Sequence, residues 1–361
     1  MKQNPINRAN KIKNLLVTGG CGFIGSNFIR YILKEARFKG NVINLDKLTY
    51  AGNYENLIDI EKKFSKKYKF VKGDICNYGL LEKLFIEHKI DAISHFAAET
   101  HVDRSIIRPN NFIKTNIIGT YNLLRVANNS QNNFILFHHI STDEVYGSLG
   151  ADGLFTEDTA FRPNSPYSAS KASSDHLVRS YFKTYNLPVT ISNCSNNYGP
   201  YQFPEKLVPL IILNSLEGKE VPIYGDGKNV RDWLHVDDHS RAVWLILKKG
   251  VAGETYNIGG KSEKENFDVA KLICNKIDKI NGKLSPKEKR TNLIKFVKDR
   301  PGHDLRYAVN FNKIKKHLGW KPEKSFNTGI SETIHWYLNN KTWVDRVRSG
   351  EYKKWIKQQY N

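Results

Sequence analysis

The stretch Ser141-Thr142-Asp143-Glu144-Val145-Tyr146-Gly147 sets a hydroxyl and two adjacent carboxyls after the apolar run Phe134-Ile135-Leu136-Phe137. That run reads as a buried strand of a parallel sheet. Ligands of open α/β sheets gather just beyond the carboxyl ends of such strands. If the strand continued, Asp143 and Glu144 would point to opposite faces. For both to serve one ligand, the chain must leave extended geometry. Ser, Thr and Asp favour helix openings, so a strand end passing into a helical turn is expected. Two neighbouring carboxyls can then hold unlike protonation states, because close like charges push one pKa up. A solvated polar turn is the plainer alternative.

A second group is Pro166-Tyr167-Ser168-Ala169-Ser170-Lys171. Proline suits the first turn of a helix, and Tyr167 and Lys171, four apart, share a face. Tyrosine is a poor base at its free pKa of about 10. A nearby ammonium and a nicotinamide cation would stabilise the phenolate and lower that value. Such a tyrosine could take a hydroxyl proton while hydride leaves the same carbon. Standing alone, Tyr-x-x-x-Lys is common on helical surfaces, so its meaning depends on the fold.

The elements that would position these groups come earlier. Asn14-Leu15-Leu16-Val17-Thr18 is a short apolar strand, and Gly19-Gly20-Cys21-Gly22-Phe23-Ile24-Gly25-Ser26 then opens a helix through Phe28, Ile29, Ile32 and Leu33. The Gly19-x-x-Gly22-x-x-Gly25 turn lets backbone approach a pyrophosphate, which the helix N-terminus stabilises. A second strand, Val42 to Asp46, ends in an acid about twenty residues on, where it would bind the adenosine ribose hydroxyls and favour NAD over NADP. A third, Tyr68 to Val71, leads to Gly73-Asp74-Ile75, placed to contact the adenine. A fourth, Asp91 to Phe96, ends in Ala97-Ala98, small enough for a cofactor to pass close. This alternation, continuing to about residue 195, predicts an α/β fold with a Rossmann-type doubly wound parallel sheet. A smaller mixed α/β substrate domain is expected to follow.

With these motifs in place, the chain resembles the extended short-chain dehydrogenase/reductase family from about residue 12 to 340. The resemblance rests on Asp46-Lys47-Leu48-Thr49-Tyr50-Ala51-Gly52-Asn53, Ala97 to Ser105, Ser141 to Gly147, Asn193 to Pro209, Arg231 to Asp238 and Asp299 to Tyr307. It implies a bound NAD and a homodimer paired through helices, one of which carries Tyr167 and Lys171. Phe23, Ile24, Lys47, Leu48, Thr49, Phe96, Thr115 and Asn197 would join the glycines, Asp46 and Asp74 around the cofactor. Cys21, Thr100 and Asn77 depart from the residues common in the family; Thr100 keeps a hydroxyl but adds a methyl near the sugar.

The implied chemistry is an internal redox cycle on a nucleotide sugar, dTDP-glucose, with UDP- or CDP-glucose as alternatives. Tyr167 takes the 4-hydroxyl proton as C4 gives up hydride, and Thr142 hydrogen-bonds that oxygen. Glu144 removes the C5 proton that the 4-ketone has acidified. Protonated Asp143 helps the C6 hydroxyl leave as water, hydride returns to C6 and C5 is reprotonated. The product is a 4-keto-6-deoxy sugar nucleotide for deoxysugar synthesis of the dTDP-rhamnose type. Epimerases and decarboxylases of the superfamily need no protonated acid at C6, so Asp143 favours elimination.

From about residue 196 the chain turns to substrate. Asn196-Asn197-Tyr198-Gly199-Pro200 reads as a loop. Lys206 and Arg231 offer cations for a diphosphate, and arginine suits bidentate phosphate contacts. Arg300 and His303 form an expected second clamp. By resemblance Thr100, Asn196, Leu207, Pro222, Tyr224 and Asn266 also hold substrate. The bland alternatives are an Arg231 paired with Asp232 and a His303 that only shapes a turn.

The expected division is a flexible arm (1–11), an NAD-binding Rossmann domain (12–195) and a nucleotide-sugar domain (196–361) that sends about 230–260 back to the first. A hydrophobic content of 40% with 12% aromatics points to a globular chain. No apolar run approaches the roughly eighteen residues of a membrane span, and the basic start has no apolar signal region. Four scattered cysteines lack metal or redox spacing. His138 and His139 read as structural, and no metal is expected. A cytoplasmic enzyme is the resulting expectation. The net charge of +20 is spread over dispersed lysines without a recognition motif, so no nucleic-acid partner is expected.

Overall fold

Apolar residues fill the interior of the short strands that follow each turn signal, and these strands build the frame. The computed structural model describes residues 8–130 and 133–348. The first strands are β1 (Asn14–Thr18), β2 (Asn41–Asp46), β3 (Tyr68–Lys72), β4 (Ala92–His95), β5 (Leu136–Thr142) and β6 (Val189–Cys194). After them come β7 (Asn196–Tyr198), β8 (Val221–Tyr224), β9 (Val230–His235), β10 (Thr255–Ile258), β11 (Glu263–Glu265) and β12 (Ile294–Val297). Seven form one sheet in the order β10-β6-β5-β4-β1-β2-β3, and every pairing in it is parallel. The chain runs outward from β1 to β3, then restarts at β4 on the other side of β1. That reversal opens a crevice between β1 and β4, where ligands of such sheets bind. The central sheet is thus a doubly wound, Rossmann-type frame.

Two apolar cores cover its faces. One joins Leu16, Ile93, Phe137 and Ile191 to Leu123, Leu124 and Val178. The other joins Leu15, Val17 and Leu136 to Phe28, Ile29, Val243, Trp244 and Leu247. Val243, Trp244 and Leu247 lie on the helix Val236–Lys249, so the chain returns to the large sheet here, and β10 then pairs with β6. Residues 1–7 lie outside the described residues; Arg8–Asn10 form one 3-10 turn, and the Arg8 guanidinium donates to the Gly250 carbonyl.

The second half contains a three-stranded sheet, β11-β9-β7, and a two-stranded one, β12-β8. Between them, Val208, Ile211 and Ile212 pack with Val269, Ile273, Ile330 and Ile334 in a third core. Trp343 joins that core and donates to Asn56 Oδ1 of the first half at 2.8 Å.

Two sequence expectations shift. β5 begins at Leu136 rather than Phe134, because its ladder with β4 starts at the Leu136–Ala92 pair. Asn196–Tyr198, expected as loop, is a strand, because it finds Trp233–His235 as a parallel partner. That partner is distant in sequence and leaves no local signal.

Candidate active site

The cofactor end of the crevice is built by the turn after β1. Gly19 sits at φ +70°, and a Cβ there would lie 2.6 Å from the Ala97 Cα. Only glycine lets the β1 turn approach the β4 turn this closely. Gly22 opens the helix Phe23–Arg30 and supplies no side-chain cap, so the first N–H groups have no capping side chain. At the end of β2, Asp46 accepts from Cys21 N and Leu48 N, each at 2.8 Å. Burial raises its carboxyl pKa, against those two hydrogen bonds. Asp74 accepts from Cys76 N at 2.9 Å and pairs with Lys47 Nζ at 2.8 Å. Burial pushes the Asp74 carboxyl up, but these partners outweigh it and leave it below its ordinary value. Phe23, Ile24, Gly25, Thr49 and Ile75 line the same cleft with Gly19, Gly22, Asp46, Lys47 and Asp74. Phe96, Ala97, Ala98, Thr115 and Asn197 complete this wall. An uncapped helix start, a cradle without Cβ atoms and an acid at the end of β2 fit a dinucleotide.

The reaction end lies where β5 stops. Thr142 is its last residue and caps a 3-10 turn, Asp143–Tyr146, by accepting from Glu144 N at 3.3 Å. The change from strand to turn brings Asp143 and Glu144 into one cleft with Thr142, Tyr167 and Lys171. Asp143 is 1% exposed. Its Oδ1 accepts from the Thr142 hydroxyl at 3.3 Å, and its Oδ2 has no partner. Burial, then the neighbouring Glu144, holds the Asp143 carboxyl well above the usual range. Burial also raises Glu144, but Arg300, Arg231 and Lys206 oppose it. The two acids therefore favour unlike protonation states, with the proton on Asp143.

Tyr167 and Lys171 lie on the helix Pro166–Tyr185, which opens with proline and a Ser165–Ser168 capping box. Burial raises the Tyr167 phenol well above its ordinary value, and only the Thr142 hydroxyl among its main influences lowers it. Lys171 Nζ donates to the Ile140 carbonyl at 2.9 Å and lies 3.4 Å from His139 Nε2; burial brings its pKa down to about 8. Cys194 closes the floor, its thiol donating to the Ser141 carbonyl at 3.4 Å. His138 lies between Thr190 and Ser192, and His139 touches Ser174 and Asp175.

Thr100, Asn196 and Lys206 also face the cleft. Lys206 Nζ donates to the Thr100 carbonyl at 2.8 Å, and Asn196 Oδ1 is buried without a partner. Eight residues expected at the site do not line this cleft. Leu48, at φ +56°, turns to a separate shallow hollow beside Tyr50. Leu207 starts the helix Leu207–Leu216 and packs on the second-half core. Pro222 and Tyr224 sit on β8, paired to Lys295 and Val297. Asn266 begins the helix Asn266–Asn281, with its Oδ1 buried and unpaired. Arg231, Arg300 and His303 are not in the lining either, although both arginines act on Glu144.

Arg231 does not pair with Asp232. It donates to the Val230 carbonyl at 2.7 Å and the Asp304 carbonyl at 3.0 Å, and lies 4.3 Å over the Tyr307 ring. Asp232 instead accepts from Gly260 N and Ser262 N. Arg300 lies 3.6 Å from Asp103. His303 Nδ1 is 2.6 Å from Asp299, and burial brings its pKa down to about 4. The cleft also includes Glu99, Gln202 and Glu205, which the sequence reading did not single out. Glu99 and Glu205 lie within the motifs Ala97 to Ser105 and Asn193 to Pro209, so their signal was present but unassigned. Among the described residues no group of His, Cys, Asp or Glu is arranged to hold a metal. No helix there is long and apolar enough to cross a membrane.

The sequence pattern of the GDP-mannose 4,6 dehydratase family matches residues 16–333. The chain is 53% identical over 363 residues to dTDP-glucose 4,6-dehydratase 1 of Escherichia coli (strain K12), covering 96% of this chain and 98% of that relative. Its structure is similar to that of dTDP-glucose 4,6-dehydratase from Bacillus anthracis in complex with NAD, with TM-score 0.83, 46% identity and coverage of 93% and 99%. The dTDP-glucose 4,6-dehydratase of Streptomyces venezuelae, solved with NAD bound, gives TM-score 0.85 at 45% identity, covering 92% and 99%.

Proposed function

The chain belongs to the GDP-mannose 4,6 dehydratase family, among the extended short-chain dehydrogenases/reductases, and from that premise we propose its reaction and the residues that carry it. It is an NAD-dependent dTDP-glucose 4,6-dehydratase, a hydro-lyase that converts dTDP-glucose to dTDP-4-keto-6-deoxyglucose and water. One observation carries the choice of elimination over epimerisation. A buried Asp143 that favours its proton stands beside a Glu144 opposed by three cations, in one cleft with Tyr167.

Bound NAD supplies the acceptor for the C4 hydride and, once reduced, its donor to C6. The rest falls to the chain. Gly19, Gly22 and Gly25 admit the pyrophosphate, and Asp46 receives the ribose hydroxyls. Tyr167 takes the O4 proton, with Thr142 holding that oxygen. Glu144 removes the C5 proton and later returns it. Asp143 gives its proton to the C6 hydroxyl as the C6–O bond breaks. Lys206, Arg231 and Arg300 favour the diphosphate through charge. Acid and base groups so placed each contribute about 10²–10⁴-fold. The chain works as a homodimer in the cytoplasm.

The test is incubation of the pure protein with dTDP-, UDP- and CDP-glucose carrying deuterium at C4. Label arriving at C6 of a 4-keto-6-deoxy product of dTDP-glucose is the expected result. Label retained at C4 of a galactose product would replace this reading with epimerisation.

A further inference from the structure

Lys171 lines the cleft yet is almost wholly removed from water, at 3% exposure. Its Nζ donates to the Ile140 carbonyl at 2.9 Å and lies 3.4 Å from His139 Nε2. The carbonyl carries no charge, and burial keeps the His139 imidazole neutral. Taking an ammonium out of water is costly unless an opposite charge lies near.

Asp175 is placed to supply that charge. It is fully buried and stands four residues on along the helix Pro166–Tyr185, on the same face. Its Oδ1 lies 3.2 Å from His139 Nε2, the atom that also faces Lys171. The Ser174 hydroxyl approaches that nitrogen at 3.2 Å as well. One ring nitrogen either donates or accepts a single hydrogen bond, so His139 cannot bond Lys171 and Asp175 together. Asp175 Oδ1 is left without a hydrogen-bond partner, and its charge acts on Lys171 through space. Asp175 Oδ2 accepts from Asn193 Nδ2 at 3.2 Å, which favours the ionised form. Around the pair stand His95, His138, Tyr146 and Cys194, with Tyr167 and Arg179 on the same helix. The imidazoles, the thiol and the phenols are neutral at pH 7 and Arg179 is a cation, so none of them competes with Asp175 as counter-charge.

We propose that Asp175 is a positioning residue that holds Lys171 as an ammonium in the cleft, its carboxylate acting across the edge of His139. The inference rests on the dehydration reading above for what Lys171 serves, and on the geometry alone for the charge. Burial brings Lys171 down to about 8, with Asp175 first among the groups opposing the fall, while burial lifts the Asp175 carboxyl to about 6. The two opposite charges therefore coexist between those values.

The pH dependence of dTDP-glucose dehydration by the holoenzyme is compared for the parent, Asp175→Asn and Asp175→Glu. The parent should lose activity above a pH of about 8, as Lys171 gives up its proton. Asp175→Asn should move this alkaline limb down by about 1–3 pH units, whereas Asp175→Glu, which keeps the charge, should leave it near the parent's. A limb unmoved in Asp175→Asn, with kcat lowered equally at every pH, reduces Asp175 to packing and overturns the proposal. Should the Asp175 variants not fold, magnetic resonance of Lys206→Met carrying ε-¹³C-lysine decides, because it removes the other cleft lysine whose pKa is lowered. A lysine titrating near 8 with a second, smaller step near 6 supports the coupling, and a single step overturns it. Absence of any 4-keto-6-deoxy product from the parent at every pH would instead overturn the dehydration reading, and the lysine titration would still test Asp175.

Discussion

Asp74 and Asp143 follow two strands of one sheet and line one cleft, yet their surroundings push them in opposite directions. Asp74, beyond β3, is met by a backbone N–H and by Lys47, and its carboxyl falls below the ordinary range. Asp143, beyond β5, has one 3.3 Å hydroxyl contact, an unpartnered oxygen and an acidic neighbour, and its carboxyl rises far above that range. Residue type is shared, but the donors offered to the charge are not. A carboxyl supplied with donors stays ionised and binds; one starved of them keeps a proton and can give it away.

The largest test of this contrast is Asp143→Asn. It should keep C4 oxidation, visible as reduced-nicotinamide absorbance, but lower 4-keto-6-deoxy product formation by about 10²–10⁴-fold. Dehydration at the parent rate would remove Asp143 from the acid role. Next in size is Arg300→Met, which tests whether the cations facing Glu144 also hold substrate. A KM raised roughly 10- to 100-fold, with kcat changed much less, is expected for loss of a charged contact. An unchanged KM would confine Arg300 to its partner Asp103.

Smaller effects separate the two carboxyls by pH. Asp143 has a raised folded pKa, so the native state holds more protons than the unfolded one above the free value of about 4. Its contribution is present below that value and is lost as pH rises toward the folded pKa. Thermal melts across this window should show the parent losing stability relative to Asp143→Asn as pH rises. Asp74 has the opposite sign. Its contribution is present above the free value and is lost as pH falls through the depressed folded pKa. Asp74→Asn should therefore cost about 0–1 kcal/mol near neutrality, given the half-exposed Lys47 partner, with the difference fading in acid. Parallel pH profiles for the two variants would erase the distinction.

The first half was legible because its signals are local. Turn glycines, apolar runs of strand length and the acid ending β2 each announce themselves within a few residues. The Thr142–Glu144 turn could be anticipated because two adjacent acids cannot share a face while extended. Less could be read where pairing is distant. Nothing near Asn196 signals its partner Trp233, and nothing near Thr255 signals Ile191. Charge environments were also hidden. The lowered phenol pKa expected of Tyr167 depends on a nicotinamide cation as well as on Lys171, and the chain's own groups, burial first, raise it. The bland alternative of an Arg231–Asp232 pair fails as well, because strand geometry sends their side chains to different partners.

The cysteine on the floor of the reaction corner has a practical consequence for handling the protein. Burial, then the nearby Asp143, pushes the Cys194 thiol up to about 12. A thiol so reluctant to ionise is a poor nucleophile at neutral pH, since thiolate is the reactive form. Iodoacetamide should therefore leave turnover intact over hours, and inactivation by alkylation at Cys194 would show that this corner opens to reagents. Sulfur can thus sit beside the acid and the tyrosine without offering a thiolate to reagents that seek one.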